Sequence, residues 1–164
     1  MKAEEPPMPI FDHRGMIHDL IKGATHATLG TLDATGAPFT SLVALARDSD
    51  LSPLIITSHL SSHTSHLEAN QRVSMLIASI GKGDPLAHHR LTLTGRAVAA
   101  RPGEAEYDRI RPLYIAQNPK AALYVQLPGF WFWRIAPERV FLNGGFGKAW
   151  NGGWEEVASS SDKG

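Results

Sequence analysis

No cysteine occurs among the 164 residues, which excludes thiolate nucleophiles, Cys-ligated zinc and a disulfide framework. Nor is there an excess of either charge. Sixteen Lys and Arg balance sixteen Asp and Glu, so the chain is not built on the electrostatics of duplex nucleic acid or anionic lipid, although a local site for a small anion stays open. No window approaches the ~18 unbroken apolar residues of a membrane span. The first nine residues, MKAEEPPMP, carry two acids and three prolines where a signal peptide needs a basic start and an apolar stretch. A cytoplasmic protein with no membrane partner and no nucleic-acid partner is the expectation. Catalytic signatures are scarce as well. There is no HExxH, no G-x-S-x-G elbow and no phosphate-binding G-x-x-x-x-G-K-[ST] loop.

What remains is 43% apolar and 20% charged, the balance of one globular domain. A chain of this size buries roughly two-thirds of its unfolded surface and needs no staple. The expected division is a flexible arm over 1–10, one domain over 11–150 and a polar tail over 151–164.

Along the chain, Met16, Ile17, Leu20 and Ile21 share one helical face, and Gly23 marks its end. HATLGTL, a turn at Asp33–Gly36 and PFTSLVALAR read as a hairpin; PLIITS reads as a buried strand. Residues 59–71 return to helical composition. VSMLIASI and RLTLTGRAVA read as two more strands, with Gly95 marking a bulge. A helix over 104–118 is interrupted by Pro112, and a short helical piece follows over 121–127. FWFWRI and RVFLN are the last two strands. Seven strands and three helices give an α+β fold around a small antiparallel barrel. The aromatic run 130–133 offers more surface than one small barrel strand buries, which suggests a second subunit.

Chemistry concentrates over 55–73, IITSHLSSHTSHLEANQRV. A strand ends in Thr57-Ser58, and a helix begins beyond Ser61, Ser62, His63 and Thr64. Open amides at a helix start, several hydroxyls and an imidazole suit a phosphate group. The alternative is that these residues only cap the helix.

This order of elements, with Leu67-Glu68-Ala69-Asn70 and the VSML strand after it, resembles the FMN-binding split barrels related to pyridoxamine 5'-phosphate oxidase. The likeness runs over about residues 12–147. It is nearest the haem-utilisation branch, through Gly83-Asp84-Pro85-Leu86-Ala87-His88, Arg90–Gly95 and Gly144-Gly145-Phe146-Gly147. The resemblance implies a split antiparallel β-barrel with flanking helices, a homodimer with cofactor at the subunit interface, and a flavin-dependent oxidoreductase acting on a small-molecule substrate. Thr57 and Ser58 would face the phosphate and ribityl chain. Ser41 and Leu42 would lie along the ring edge. Arg90 would reach the flavin, and Trp133 would touch the cofactor. The family's Ser-Arg-Lys phosphate grip falls on Ser61-Ser62-His63, where both cations are missing and His63, beside Thr64, substitutes. No residue stands out as an obligatory acid or base.

Eight histidines raise a metal or haem reading. No acidic partner stands at ligand spacing, so no metal site is expected. Haem is the alternative cofactor. Related haem-degrading proteins carry an axial His near the C-terminus, whereas no His follows His89, so His63 or a neighbour would have to serve. A barrel with no cofactor, acting as a dimeric scaffold, is the third reading.

Overall fold

The computed structural model describes residues 11–158. Helix α1 (His13–Gly23) starts where the Asp12 carboxylate accepts the Gly15 amide at 2.9 Å, and it buries Ile17, Leu20 and Ile21. Strands β1 (His26–Leu32) and β2 (Pro38–Ala44) form the expected hairpin, followed by the two-residue β3 (Ala46–Arg47) and the buried β4 (Pro53–Ser58). Helix α2 (Ser62–Ala69) leads to β5 (Arg72–Ala78), β6 (Arg90–Ala100) and α3 (Ala105–Gln117). Strand β7 (Phe130–Asn143), β8 (Ala149–Gly153) and the short α4 (Glu155–Ala158) complete the chain.

The eight strands form one antiparallel sheet in the order β2-β1-β5-β6-β7-β4-β3, with β8 added to β7. It curls around a core of Leu29, Ile55, Met75, Leu91, Leu93 and Trp133, and α2 plugs one end with Leu67. A second core lies beneath α3, where Phe132 meets Tyr107 and Tyr114 at 5.1 and 5.3 Å.

Four expectations are corrected. The strands expected at 130–135 and 139–143 are one strand, because β7 crosses Pro137 at a bulge: Thr94 pairs with Arg139 and Gly95 with Pro137, so Glu138 is the extra residue. A proline has no ladder N–H to lose there. Secondly, α3 runs through Pro112 without a break. Contacts on both sides hold it: Tyr107 donates to the Val125 carbonyl, while Gln117 exchanges hydrogen bonds with the Arg47 amide and carbonyl. Thirdly, half of the aromatic run is taken up within one chain, where Phe132 is 0% and Trp133 1% exposed, while Phe130 and Trp131 stay half-buried. Strand alternation sends Phe132 to the α3 core and Trp133 to the barrel core. Finally, part of the expected polar tail is built into the fold. Strand β8 extends the sheet, and α4 buries Val157, whose carbonyl lies 2.7 Å from His18 Nε2. The expected arm falls on residues 1–10, outside the described ones, as does 159–164.

Candidate functional site

The corner where β4 gives way to α2 gathers six of the residues expected to hold a cofactor. Thr57 is buried, and its hydroxyl accepts the Trp133 indole N–H at 2.8 Å. Ser58 organises the turn: its carbonyl accepts the Thr64 hydroxyl at 2.6 Å and the Ser61 amide at 3.0 Å, and its Oγ accepts the Leu60 amide at 3.2 Å. Ser61 is the N-cap residue but makes no side-chain capping bond. Ser62 is exposed, Thr64 is buried and His63 is half-buried. The amides of Ser62 and His63 are first-turn donors that a helix cannot satisfy internally.

Much of this hydroxyl chemistry is therefore already spent on the fold. Thr57 and Thr64 work inward, and Trp133 serves Thr57 from the core, where it cannot touch a ligand outside the barrel. No Lys or Arg lies between residues 57 and 69. His63 does not replace them, because burial and then the charge of His66 hold its pKa below the ordinary 6.5. At neutral pH it is an uncharged imidazole, whereas a phosphate dianion is gripped by charge-assisted donors. The corner fits that group poorly.

The other expected residues lie elsewhere. Ser41 and Leu42 sit on the edge strand β2, opposite Leu29 and Thr28. The Ser41 hydroxyl is buried with no partner among the described residues, and Leu42 is 72% exposed. Arg90 pairs with Asn143 at the end of β7, while Ser58 pairs with Phe130 at its start. The Arg90 guanidinium donates to the carbonyls of Leu86 and His88, at 3.0 and 3.4 Å, and pins that loop.

A larger opening lies between α1 and the outer face of β1 and β5. Its volume is about 880 Å³, within the ~300–1,000 Å³ usual for small-molecule sites. Register places Thr28, Leu42 and Leu76 in one outward-facing row, and these three line the cavity with Met16 and Leu20 from α1 and Ile80 beyond β5. Polar groups border them: Asp12, Asp19, Thr25, Ser79 and two histidines, His26 and His89. Among the described residues, no Lys or Arg lines it. Of the residues expected from the sequence, this cavity contains Leu42 alone. His26 was legible in principle, because β1 alternation puts it on the face of Thr28. What the sequence hid is that α1 leaves that face open.

A further charge cluster is self-contained. Asp48 accepts two hydrogen bonds from Arg109, at 2.9 and 2.5 Å, and Arg134 reaches Asp50 and Ser52. These pairs tie the β3–β4 turn to α3 and β7. Among the described residues, no group of three or more His, Cys, Asp or Glu is placed to hold a metal ion.

Comparison with known proteins fits this architecture. The family profile of pyridoxamine 5'-phosphate oxidase matches residues 15–144. The chloroplastic haem oxygenase HOZ of Arabidopsis thaliana is 33% identical over 141 residues, which is 85% of this chain and 42% of that protein. This chain thus spans less than half the length of that relative. A haem-binding protein from Mycobacterium smegmatis superposes with a TM-score of 0.80 at 27% identity, over 88% of this chain and 59% of that one. The haem storage protein HutZ of Vibrio cholerae shares the fold, with a TM-score of 0.66 at 21% identity over 80% of this chain and 94% of that one.

Proposed function

The chain belongs to the pyridoxamine 5'-phosphate oxidase family, and from that premise we propose that it is a haem-handling protein that binds haem in the cavity between α1 and the sheet. The observation that carries this reading is the cavity's make-up. It is large, with an apolar side made by Met16, Leu20, Leu42, Leu76 and Ile80, a polar rim that includes His26 and His89, and, among the described residues, no Lys or Arg in its lining. A metalloporphyrin needs a flat apolar bed and one nitrogen for the iron. Leu42, Leu76, Met16 and Leu20 would supply the bed and exclude water from the ring. When bound, the iron supplies the oxygen or electron-transfer chemistry. The relatives in Arabidopsis thaliana and Mycobacterium smegmatis, described as a haem oxygenase and a haem-binding protein, support the same ligand.

The sequence ranked a flavin ahead of haem; the missing cations at the β4–α2 corner and the make-up of the α1 cavity support the reverse order. Flavin mononucleotide at the β4–α2 corner remains the second reading, favoured by the open amides of Ser62 and His63 and the partnerless Ser41 hydroxyl. In it, Ser61, Ser62, His63 and Thr64 surround the phosphate, Ser58 adjoins the ribityl chain and Leu42 lies against the ring.

The assembly we propose is a homodimer through the outer sheet face, with the cavity opening at the subunit interface, since Thr28, Leu42 and Leu76 belong to both. Register aligns Leu42, Thr28, Leu76, Thr92 and Phe141 across five strands. Leu42, Leu76 and Phe141 are 72, 41 and 42% exposed. A row of leucine, threonine and phenylalanine without charge is self-complementary under a two-fold axis. Calorimetry with ferric haem and with flavin mononucleotide, run separately on the same preparation, distinguishes the readings. Saturable haem binding with no flavin heat supports the first; the converse replaces it by the second.

A further inference from the structure

Resting on that reading of the cavity, we infer that His26 is the residue that ligates the haem iron and that Thr25 orients it. His26 opens β1, on the same face as Thr28, and so stands over the floor made by Thr28, Leu42 and Leu76. Its Nδ1 lies 3.1 Å from the Thr25 hydroxyl. With the proton on Nδ1 donated to Thr25 Oγ1, the lone pair sits on Nε2, which has no protein partner among the described residues. A ring fixed through one nitrogen and open at the other is the usual disposition of an iron-ligating histidine.

The other candidates lack that arrangement. His89 borders the cavity, but its ring has no hydrogen bond among the described residues; only its carbonyl is engaged, by the Ser79 amide at 3.3 Å. His88 turns away, with Nε2 3.0 Å from the Lys82 carbonyl. His63 lies on α2, outside the cavity lining, and His66 there is tied to the Thr31 hydroxyl at 3.0 Å. His59 lies near the Gly129 carbonyl at 3.3 Å. The sequence expectation that His63 or a neighbour would serve is thus replaced by a residue from the opposite end of β1.

The test is an absorption titration with ferric haem, paired with fluorescence titration by metal-free protoporphyrin, on the full chain and on His26→Ala, His89→Ala and Thr25→Val. The metal-free ring reports on the cavity, and the iron reports on the ligand. His26→Ala should abolish the Soret shift of the bound haem yet bind metal-free protoporphyrin as the parent does. Thr25→Val should keep the ligated spectrum with an affinity lowered by about tenfold. His89→Ala should match the parent in both titrations. A parent-like Soret band in His26→Ala overturns the assignment, as does its loss in His89→Ala alone. Loss of both ligands in His26→Ala also overturns it, by making His26 a packing residue. If the parent chain shows no Soret band with haem, the haem reading itself fails and the assignment with it.

Discussion

Asp48 shows how one side chain couples the turn after β3 to the rest of the fold. It is 6% exposed, and the hydrogen bonds from Arg109 lower its pKa from 3.8 to about 2, helped by the Ser49 amide and the charges of Arg109 and Arg134. A carboxyl whose folded value is depressed stabilises the fold above its unfolded value and loses that contribution as pH falls towards the folded one. The shift corresponds to about 2 kcal/mol, present above pH ~4 and gone near pH ~2. Asp48→Asn should therefore lose about 2 kcal/mol in urea unfolding at pH 7 and almost nothing near pH 2. Equal losses at both pH values would contradict this account. His63 has the same sign in a higher pH range. Its pKa is held below 6.5 by burial and then by His66, so the folded state resists the proton and stability falls as pH drops below ~6.5. The NMR titration of His63 should have its midpoint below that of an exposed histidine, and His63→Gln should flatten the stability profile below about pH 6.5. At this scale the sequence located the hydroxyls of 57–64, because a strand end and helix start are visible as composition. It could not show that Thr57 is taken by Trp133 or Thr64 by the Ser58 carbonyl, since those partners come from packing.

Among the elements, the bulge between β6 and β7 is where local sequence and tertiary structure meet. Gly95 was readable as a bulge, yet its partner Pro137 reads as a strand breaker until the two are seen opposite each other. A Cβ on Gly95 would stand 2.1 Å from the Ala136 carbonyl oxygen, a backbone atom that cannot swing aside. Gly95→Ala should thus destabilise by about 2 kcal/mol or more, lowering Tm by roughly 4–8 °C; an unchanged Tm would show that the bulge relaxes freely. Helix α3 teaches the same lesson from the other side. Pro112 costs a helix about 3 kcal/mol in isolation, and Tyr107, Ile110 and Tyr114, whose helical spacing was readable, bury themselves on both sides of it. Strand β8 and α4 were illegible for a simpler reason. Their segments are short and carry no helical or strand periodicity, and they become ordered by pairing with β7 and by seating Val157 against the core.

Over the whole molecule, the α+β architecture, the curled sheet and the family were readable from motif order. The ligand cavity was not, because it arises from the distance between α1 and the sheet rather than from any segment. The proposed dimer rests on different ground for the same reason: Phe132 and Trp133 of the aromatic run are buried within one chain, whereas Leu42, Leu76 and Phe141 form an exposed outer row. Among the described residues no helix is long and apolar enough to cross a membrane. Phe141 lies on the outer row but outside the cavity lining, so Phe141→Asp should convert a sedimenting dimer into a monomer; a dimer that persists would place the interface elsewhere.

The central claim is that the opening beside α1, and not the hydroxyl corner at α2, receives the cofactor. Crystals of the protein grown with ferric haem test it most directly. The account predicts porphyrin density against Leu42 and Leu76 with the Ser61–Thr64 turn vacant, and density at that turn with the α1 cavity empty would contradict it.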